Sequence, residues 1–307
     1  MKVYNTIGLF FILIICHSIN GTAQQDPIAA QYHLNSSKFN PAYSGLYNRF
    51  IINSNIRRQW NGLPGNPKTN NLSISSSLIE NTLGAGLVVN QDELGITTTL
   101  DLNLQLSYQI ELGNNQVFSF GLQGGTTNVK QNQDELTLKY LDDPDFPQVE
   151  QSASKPNFGA GIALMSDFYF LGLSIPRMLN SEFKDGLTNN TIYKRHFYLT
   201  GAFIKDLTPL FKIKPGALIK YVDGAPISFD ISANVLYNNQ FWFGVFTRDF
   251  NAQGALLQFV LNDVYRIGYA IEIPTSSYVK TSFITHEISI GIDLAIFGNQ
   301  DVFMRYF

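Results

Sequence analysis

Strict alternation of apolar and polar side chains is the main feature of this chain, and it is clearest in LDLNLQLSYQIEL, residues 100–112. Apolar side chains occupy every even position of that stretch, and polar side chains occupy the odd positions before its last residue. Because successive side chains leave a strand on opposite sides, the pattern predicts a strand with one apolar and one polar face. A soluble sheet buries the apolar face, whereas an outer-membrane barrel turns it to lipid, so the strand alone leaves both architectures open.

Similar runs follow one another through most of the chain. Their periodicity and the turn residues between them predict fourteen strands, and an even number is the rule for single-chain bacterial barrels. The predicted strands cover residues 46–60, 69–79, 83–90, 97–112, 116–129, 156–165, 168–176, 193–205, 210–221, 226–237, 240–248, 253–261, 264–273 and 286–294.

The lengths of the connections favour the membrane architecture. Every second connection is tight, whereas the three longest, residues 130–155, 177–192 and 274–285, all fall on the other parity. Short turns at one rim and long loops at the other are typical of outer-membrane barrels. We therefore predict an all-β, transmembrane, antiparallel up-and-down outer-membrane β-barrel of about fourteen strands. In this orientation Leu104→Arg should cost about 2–4 kcal/mol, whereas Gln105→Arg should enter a wet lumen nearly freely.

The composition agrees with a large surface in lipid. Charged residues make up 15% of the chain, against about 25% in ordinary soluble domains, and aromatic residues reach 13%. Beyond residue 23 no apolar run approaches the roughly 20 residues of a transmembrane helix. A closed barrel is the other structure that satisfies its backbone groups within a membrane.

Both ends of the chain are expected to lie outside the barrel wall, which is predicted to cover residues 46–294. Lys2, an apolar run over residues 7–15 and small residues ending at Ala23 predict a Sec signal peptide over residues 1–23. A lipoprotein signal at Cys16 is the alternative, although Ile15 stands where such signals need a small residue. Cys16 is the only cysteine, so cleavage leaves a chain without disulfides. Residues 24–45 are predicted to form a periplasmic N-terminal segment that enters the barrel or docks a partner, and residues 295–307 a C-terminal tail.

The charge pattern suggests no nucleic-acid partner. The net charge of −3 becomes −4 when Lys2 leaves with the signal peptide, which is too small to indicate nucleic acid or an anionic membrane surface. Lys212, Lys214 and Lys220 share a parity, and we interpret them as luminal residues that pair with acids such as Asp230, with anion selectivity as the alternative.

Candidate sites for chemistry are few. His33, His196 and His286 are far apart and show no paired spacing, so no catalytic residue, metal site or cofactor is predicted, and the protein is not expected to be an enzyme. Asp142, Asp143 and Asp145 surround Pro144 in the longest loop. They are interpreted as a solvated turn, and a calcium site is the alternative, although the EF-hand spacing is missing.

Six motifs follow one another along the chain: DPIAAQYHLNSSKFNPAYSG, RRQWNGLPGNPKTNNLSISSSL, LGAGLVVNQDELG, YQIELGNNQVFSFGLQGG, GYAIEIP and THEISIGIDL. In this order they resemble the PorP/SprF outer-membrane proteins of the type IX secretion and gliding systems of Bacteroidota. The resemblance covers nearly all of the chain after the signal peptide. It implies an outer-membrane protein without enzymatic activity. Its implied role is to support the translocation or surface anchoring of a cognate adhesin-like protein, through that protein's C-terminal domain and together with periplasmic secretion components.

Two of these motifs supply candidate partner-binding residues: Asn40, Pro41, Ala42, Tyr43, Gln59, Trp60, Asn61 and Gly62. Structural packing explains such motifs as well as binding does, and an aromatic residue at the membrane boundary followed by a rigid turn is the simpler interpretation of the second. The alternative function is a passive porin or solute channel. An outer-membrane hydrolase would need a convergent catalytic set that the sequence does not indicate.

Overall fold

The computed structural model describes residues 29–80, 82–132, 151–185, 188–276 and 279–296. Within them the chain forms seventeen strands and three short 3₁₀ turns. The strands are β1 (Arg49–Arg58), β2 (Lys68–Ile79), β3 (Leu83–Leu94), β4 (Thr97–Gly113), β5 (Gln116–Gln131), β6 (Gln151–Met165), β7 (Tyr169–Arg177), β8 (Ser181–Asp185), β9 (Thr188–Tyr193), β10 (His196–Phe203), β11 (Lys205–Asp206), β12 (Phe211–Val222), β13 (Ser228–Tyr237), β14 (Phe241–Arg248), β15 (Ala252–Leu261), β16 (Tyr265–Pro274) and β17 (Thr285–Ala295).

The sheet closes on itself. Barrel strands that follow one another in sequence pair antiparallel, β10 pairs with both β7 and β12, and the last strand, β17, pairs with β1. Only Ile204 separates β10 from β11, so these two segments form one wall strand and the wall has fourteen strands. The predicted fold class is confirmed.

The two rims differ as the sequence predicts. At one rim the connections are tight, and three of them are built on Asn114-Asn115, Asn238-Asn239 and Asn262-Asp263, in which both residues have φ between 51° and 57°. Asn and Asp tolerate this left-handed backbone, and two such residues in succession make the type I′ turn that suits the twist of a hairpin. By the rule for outer-membrane barrels the short-turn rim is periplasmic and the long-loop rim extracellular.

The wall turns its apolar face outward. Leu104 is 66% exposed on the outer surface, whereas its neighbour Gln105 is 2% exposed inside. The prediction for the lipid-facing side is therefore confirmed, but the expected wet lumen at Gln105 is wrong. Its amide group is packed between Ser37, Ser44 and Gln123, at 2.7–2.8 Å. Gln105→Arg would break these contacts, so it should not be free of cost.

Aromatic residues form outward belts at both ends of the sector from β10 to β15. Such belts mark the two membrane–water interfaces of a barrel. At the periplasmic end the pairs are Phe211–Tyr237 and Phe241–Phe259, and at the extracellular end they are Phe197–Tyr221 and Phe229–Phe250, with ring centroids 4.9–5.9 Å apart.

One extracellular connection differs from the prediction, and other predicted features cannot be compared. The predicted loop over residues 177–192 contains a two-stranded hairpin, β8–β9, which pairs only within itself among the described residues. Asp142, Asp143 and Asp145, the predicted signal peptide and the end of the C-terminal tail lie outside the described residues. No helix in the described part of the chain is long and apolar enough to span a membrane.

Candidate functional site: the luminal segment

Residues 29–48, here named the luminal segment, run through the interior of the barrel before the chain enters β1. The segment contains three 3₁₀ turns, at Tyr32–Leu34, Ser36–Lys38 and Pro41–Tyr43. Asn40 starts the last turn, because its side-chain oxygen accepts the Ala42 N–H at 2.9 Å. Proline follows at the first position of the turn, where its missing N–H costs nothing. Short turns of this kind let a chain without a regular helix fill a narrow space.

Polar wall side chains bind the backbone of this segment directly. The Ser119 hydroxyl donates to the Ala42 carbonyl and the Ser174 hydroxyl donates to the Phe39 carbonyl, each at 2.7 Å. In return the Asn40 amide donates to the carbonyl of Ile162 at 2.9 Å. Further luminal contacts come from Asn71, Ser73, Gln105, Ser107, Thr200 and Ser289. Buried backbone groups outside a sheet or helix need such partners, so the polar inner face serves the segment.

Inward-facing glycines bring the wall close to the segment. A methyl group at Gly121 would overlap the backbone of Ala42, and one at Gly161 would overlap the Asn40 side chain. Gly84 is crowded in the same way by Ser44. Glycine in a strand often marks a close backbone approach, and these three positions lie on neighbouring parts of the wall. They are the sequence signal that could have placed the segment in the lumen.

A chain of buried ion pairs crosses the extracellular half of the lumen near the seam between β1 and β17. Asp230 binds Arg248, Arg248 binds Glu272, Glu272 binds Arg57 and Arg57 binds Glu287, with nitrogen–oxygen distances of 2.9–3.2 Å. Three acids face two guanidinium groups, so one negative charge needs other donors. Buried charge is costly unless it is paired or hydrogen-bonded.

The luminal segment supplies those donors. The backbone N–H groups of Ala30 and Gln31 donate to the two carboxylate oxygens of Glu287 at 2.7 and 2.9 Å. The Asn55 amide donates to the same carboxylate at 3.0 Å. The segment and the ion-pair chain therefore depend on each other.

Apolar contacts hold the rest of the segment. Tyr43 packs against Phe170 with ring centroids 5.0 Å apart, and Phe39 packs against Tyr198 at 5.4 Å. A cavity of about 20 Å³ between these two contacts leaves little room for more than single waters. The segment is thus packed as a core, with apolar contacts toward the periplasmic end of the barrel and polar contacts toward the extracellular end.

The first set of predicted site residues lies inside this core. Asn40 is 1% exposed, Ala42 is 0% exposed and Tyr43 is 3% exposed, and Pro41 is buried with them. A role for these residues as partner contacts stays a prediction, and it requires the segment to move. Their place in the structure explains the motif through packing.

The second set lies at the extracellular rim, in the β1–β2 loop. Trp60 and Asn61 are bound to the start of β17, since their N–H groups donate to the Thr285 hydroxyl at 3.2 Å and to the carbonyl of Ile284, just before the strand, at 2.8 Å. Gly62 has φ +93°, a backbone that other residues rarely adopt. Asn61 and Gly62 are exposed, and Gln59 and Trp60 are half-buried. The structure therefore does not bring the two predicted sets together.

The remaining candidate side chains have structural partners. His196 is buried beside the Lys194 carbonyl at 2.7 Å, and His286 meets the Tyr269 hydroxyl at 2.7 Å. Lys214 lies inside the barrel over the Trp242 ring at 4.4 Å. The Asp230 carboxylate, predicted to pair with a luminal lysine, is bound by Arg248. No group of three metal-ligating side chains occurs among the described residues.

Residues 21–292 match the family model of the type IX secretion system membrane protein PorP/SprF. The chain belongs to the PorP/SprF family. The match begins before β1 and ends within the last strand, β17. This PorP/SprF protein is therefore an outer-membrane component of the type IX secretion system. Its family and fold are those of a secretion-system barrel rather than of an enzyme family. No curated protein sequence matches the chain significantly.

Solved structures similar to this PorP/SprF protein are outer-membrane barrels. The CymD monoaromatic hydrocarbon channel aligns with a TM-score of 0.50 at 10% identity, over 90% of this chain and 94% of that chain. A Pseudomonas aeruginosa FadL homologue aligns with a TM-score of 0.47 at 11% identity, over 90% and 96% of the two chains. The Pseudomonas putida toluene transporter TodX gives a TM-score of 0.47 at 10% identity, with the same coverage. At such low identity the likeness concerns the fold alone.

Proposed function

We propose that this protein supports the translocation or surface anchoring of a cognate adhesin-like protein, which it holds by its extracellular face while periplasmic secretion components contact its other rim. The observation that supports this proposal over a passive porin is the luminal segment. A segment bound by wall side chains from many strands and packed between aromatic rings occupies the space through which solutes would pass.

The extracellular β1–β2 loop is the proposed substrate contact. Its backbone is held internally, since Gln59 N–H donates to the Pro67 carbonyl at 2.9 Å and the Asn66 amide donates to the Gln59 carbonyl at 2.8 Å. A loop already fixed in one conformation loses less entropy on binding than a mobile loop. Asn61 is exposed on this fixed loop and is available to a partner.

Deletion of the gene tests the proposal. We expect one or a few large surface proteins to disappear from intact cells, measured by surface proteolysis and mass spectrometry, while the uptake of small solutes is unchanged. A loss of solute uptake with a normal set of surface proteins would favour the porin alternative.

A point variant tests the contact surface. Asn61→Arg adds a bulky charge to the exposed loop and should release the cognate substrate into the medium while the barrel still inserts. Asp223→Arg is the control, because Asp223 is exposed on the β12–β13 loop, well away along the same rim. Equal substrate retention by both variants would remove this loop from the proposed contact.

A further inference from the structure

The outer surface of the barrel carries a row of basic side chains at the extracellular end of three adjacent strands. Arg58 of β1 is the direct cross-strand partner of His286 on one side and of Lys68 on the other. Directly paired residues share a face of the sheet, with Cβ atoms about 4.5–5.5 Å apart. The three side chains therefore form one group, here named the basic row.

The basic row faces away from the lumen. Arg57, the neighbour of Arg58 in β1, points inward and is 1% exposed, so Arg58 points outward. Below the row the same outward faces carry Ile288, Ile56 and Leu72, which are 48%, 44% and 39% exposed. These residues belong to the lipid-facing surface. The basic row consequently lies just above the apolar part of the wall, at the level of the lipid headgroups.

The other end of the same strands has a different chemistry. There the outward positions are Phe50, Leu294 and Leu78, and the two leucines are 42% and 54% exposed. The extracellular end of this sector also differs from that of β10–β15, which carries aromatic pairs. In β1, β2 and β17 the outward cationic group lies at the extracellular end alone, which suits a ligand that occupies only one leaflet.

The contacts of the basic row leave it able to bind an anion. One guanidinium nitrogen of Arg58 donates hydrogen bonds to Asn70 Oδ1 at 3.1 Å and to the Arg57 carbonyl at 3.2 Å. Within the described part of the chain Arg58 has no carboxylate partner. Lys68 is 45% exposed and meets Glu93 at 3.3 Å. Among the described residues the two basic side chains thus meet one acid, Glu93, through Lys68, and they lie beside a histidine whose ring is positioned by Tyr269.

We propose that the basic row binds the phosphate groups of outer-leaflet lipopolysaccharide. The planar guanidinium of Arg58 can bind a phosphate through two parallel hydrogen bonds, and the Lys68 ammonium adds a point charge beside it. The lipid A phosphates of lipopolysaccharide lie at the headgroup level of the outer leaflet, which is the level of the row. Glu93 competes with the phosphate for Lys68.

Binding of purified diphosphoryl lipid A to the folded full-length protein in detergent, followed by native mass spectrometry, tests the proposal. Arg58→Gln combined with Lys68→Gln should weaken binding by about tenfold or more. Glu93→Gln should strengthen it, because it removes the competing carboxylate. Lys205→Gln should have no effect, since Lys205 pairs with outward-facing Ile213 at the periplasmic end and is the matched outward cation of the other rim.

Three results would overturn the proposal. Unchanged lipid A binding by the double variant would show that the basic row is not the lipid A site. If the same variant also released its secreted substrate, the row would be a protein contact instead. Equal binding of phosphatidylglycerol or of inorganic phosphate would remove the specificity for lipid A. An equal loss in Lys205→Gln would reduce the effect to total charge. If the double variant does not fold, judged by its heat-dependent mobility, Arg58→Gln alone carries the same expectation with a smaller loss.

Discussion

The carboxylate of Glu287, on the last strand of the barrel, accepts a hydrogen bond from the backbone N–H of Ala30 at 2.7 Å. This contact joins the luminal segment to the chain of buried ion pairs. It places the start of the described chain and the closing strand in one polar network, and it makes the filling of the lumen part of the stability of the wall.

Glu287→Gln should therefore destabilise the whole barrel. The variant replaces one of the two Glu287 oxygens that accept from the Ala30 and Gln31 N–H groups by an amide NH2, and a buried donor left without its acceptor costs about 1–3 kcal/mol. Urea unfolding in detergent or vesicles measures the loss. Glu111→Gln, at an exposed periplasmic position, is the control and should be neutral. A neutral result for Glu287→Gln would show that the network does not hold the segment.

Gly121→Ala should disturb the luminal segment without touching the wall ladder. The added methyl group overlaps the Ala42 backbone, and overpacking of this kind costs about 1–3 kcal/mol. Gly124→Ala is the matched control on the outer face of the same strand, where the new methyl group would have ordinary contact with Phe158. Thermal unfolding of the two variants should differ, and equal midpoints would contradict the close approach of the segment to β5.

Deletion of residues 39–43 should convert the protein into a conducting barrel. Every hydrogen bond of the wall ladder remains, so the variant should insert, although it loses the packing of Tyr43 on Phe170 and of Phe39 on Tyr198. Single-channel recordings in planar bilayers provide the measurement. The intact protein should show little or no steady conductance, and a large conductance from it would mean that the segment leaves the lumen.

Leu104→Arg should reduce the yield of folded protein far more than Leu112→Arg. Both leucines face outward on β4, 66% and 56% exposed, but Leu104 lies in the middle of the strand and Leu112 near its periplasmic end. A cation costs about 2–4 kcal/mol at the bilayer midplane and about 0–1 kcal/mol near an interface. Heat-dependent electrophoretic mobility reports the folded fraction. Similar losses for both would contradict the assigned depth of β4.

The assignment of the rims predicts protease access. A cleavage site inserted between Ala225 and Pro226, in the β12–β13 connection, should be cut on intact cells. One inserted between Asn238 and Asn239, in the tight turn after β13, should be protected until the outer membrane is opened. Cutting of the second site alone would mean that the barrel has the opposite orientation.

The wall could be predicted from the sequence because the residues of each strand show by themselves which positions face outward and which face inward. Alternation fixes the two faces of β4 residue by residue, and Asn-Asn pairs fix the tight turns, so both signals are local. The alternation of short and long loops then indicates that the apolar face contacts lipid, as in an outer-membrane barrel, and not the core of a soluble protein.

The occupied lumen could not be predicted in the same way, because it depends on contacts between distant residues. Gln105 has the same polar character whether it faces water or the Ser37 carbonyl, and its amide nitrogen donates to that carbonyl at 2.8 Å. The pairing of Asp230 with Arg248 depends on strand register. The sequence predicts only that residues 24–45 enter the barrel or dock a partner, and the inward glycines that mark the close approach can be recognised when neighbouring strands are aligned.

The seam between β1 and β17 also affects the order in which the barrel assembles. Ala30 and Glu287 are 257 positions apart in sequence, and contacts this distant carry the largest loop-closure entropy and form slowly. Arg57 of β1 and Glu287 of β17 lose water together when the first and last strands meet, and each needs the other at that moment. Until the first and last strands meet, these two charged side chains lie at two open edges of the sheet, where water can solvate them. We therefore expect one late, cooperative step of biogenesis. In it the first and last strands pair, the luminal segment takes its place in the lumen, and the buried charges are neutralised.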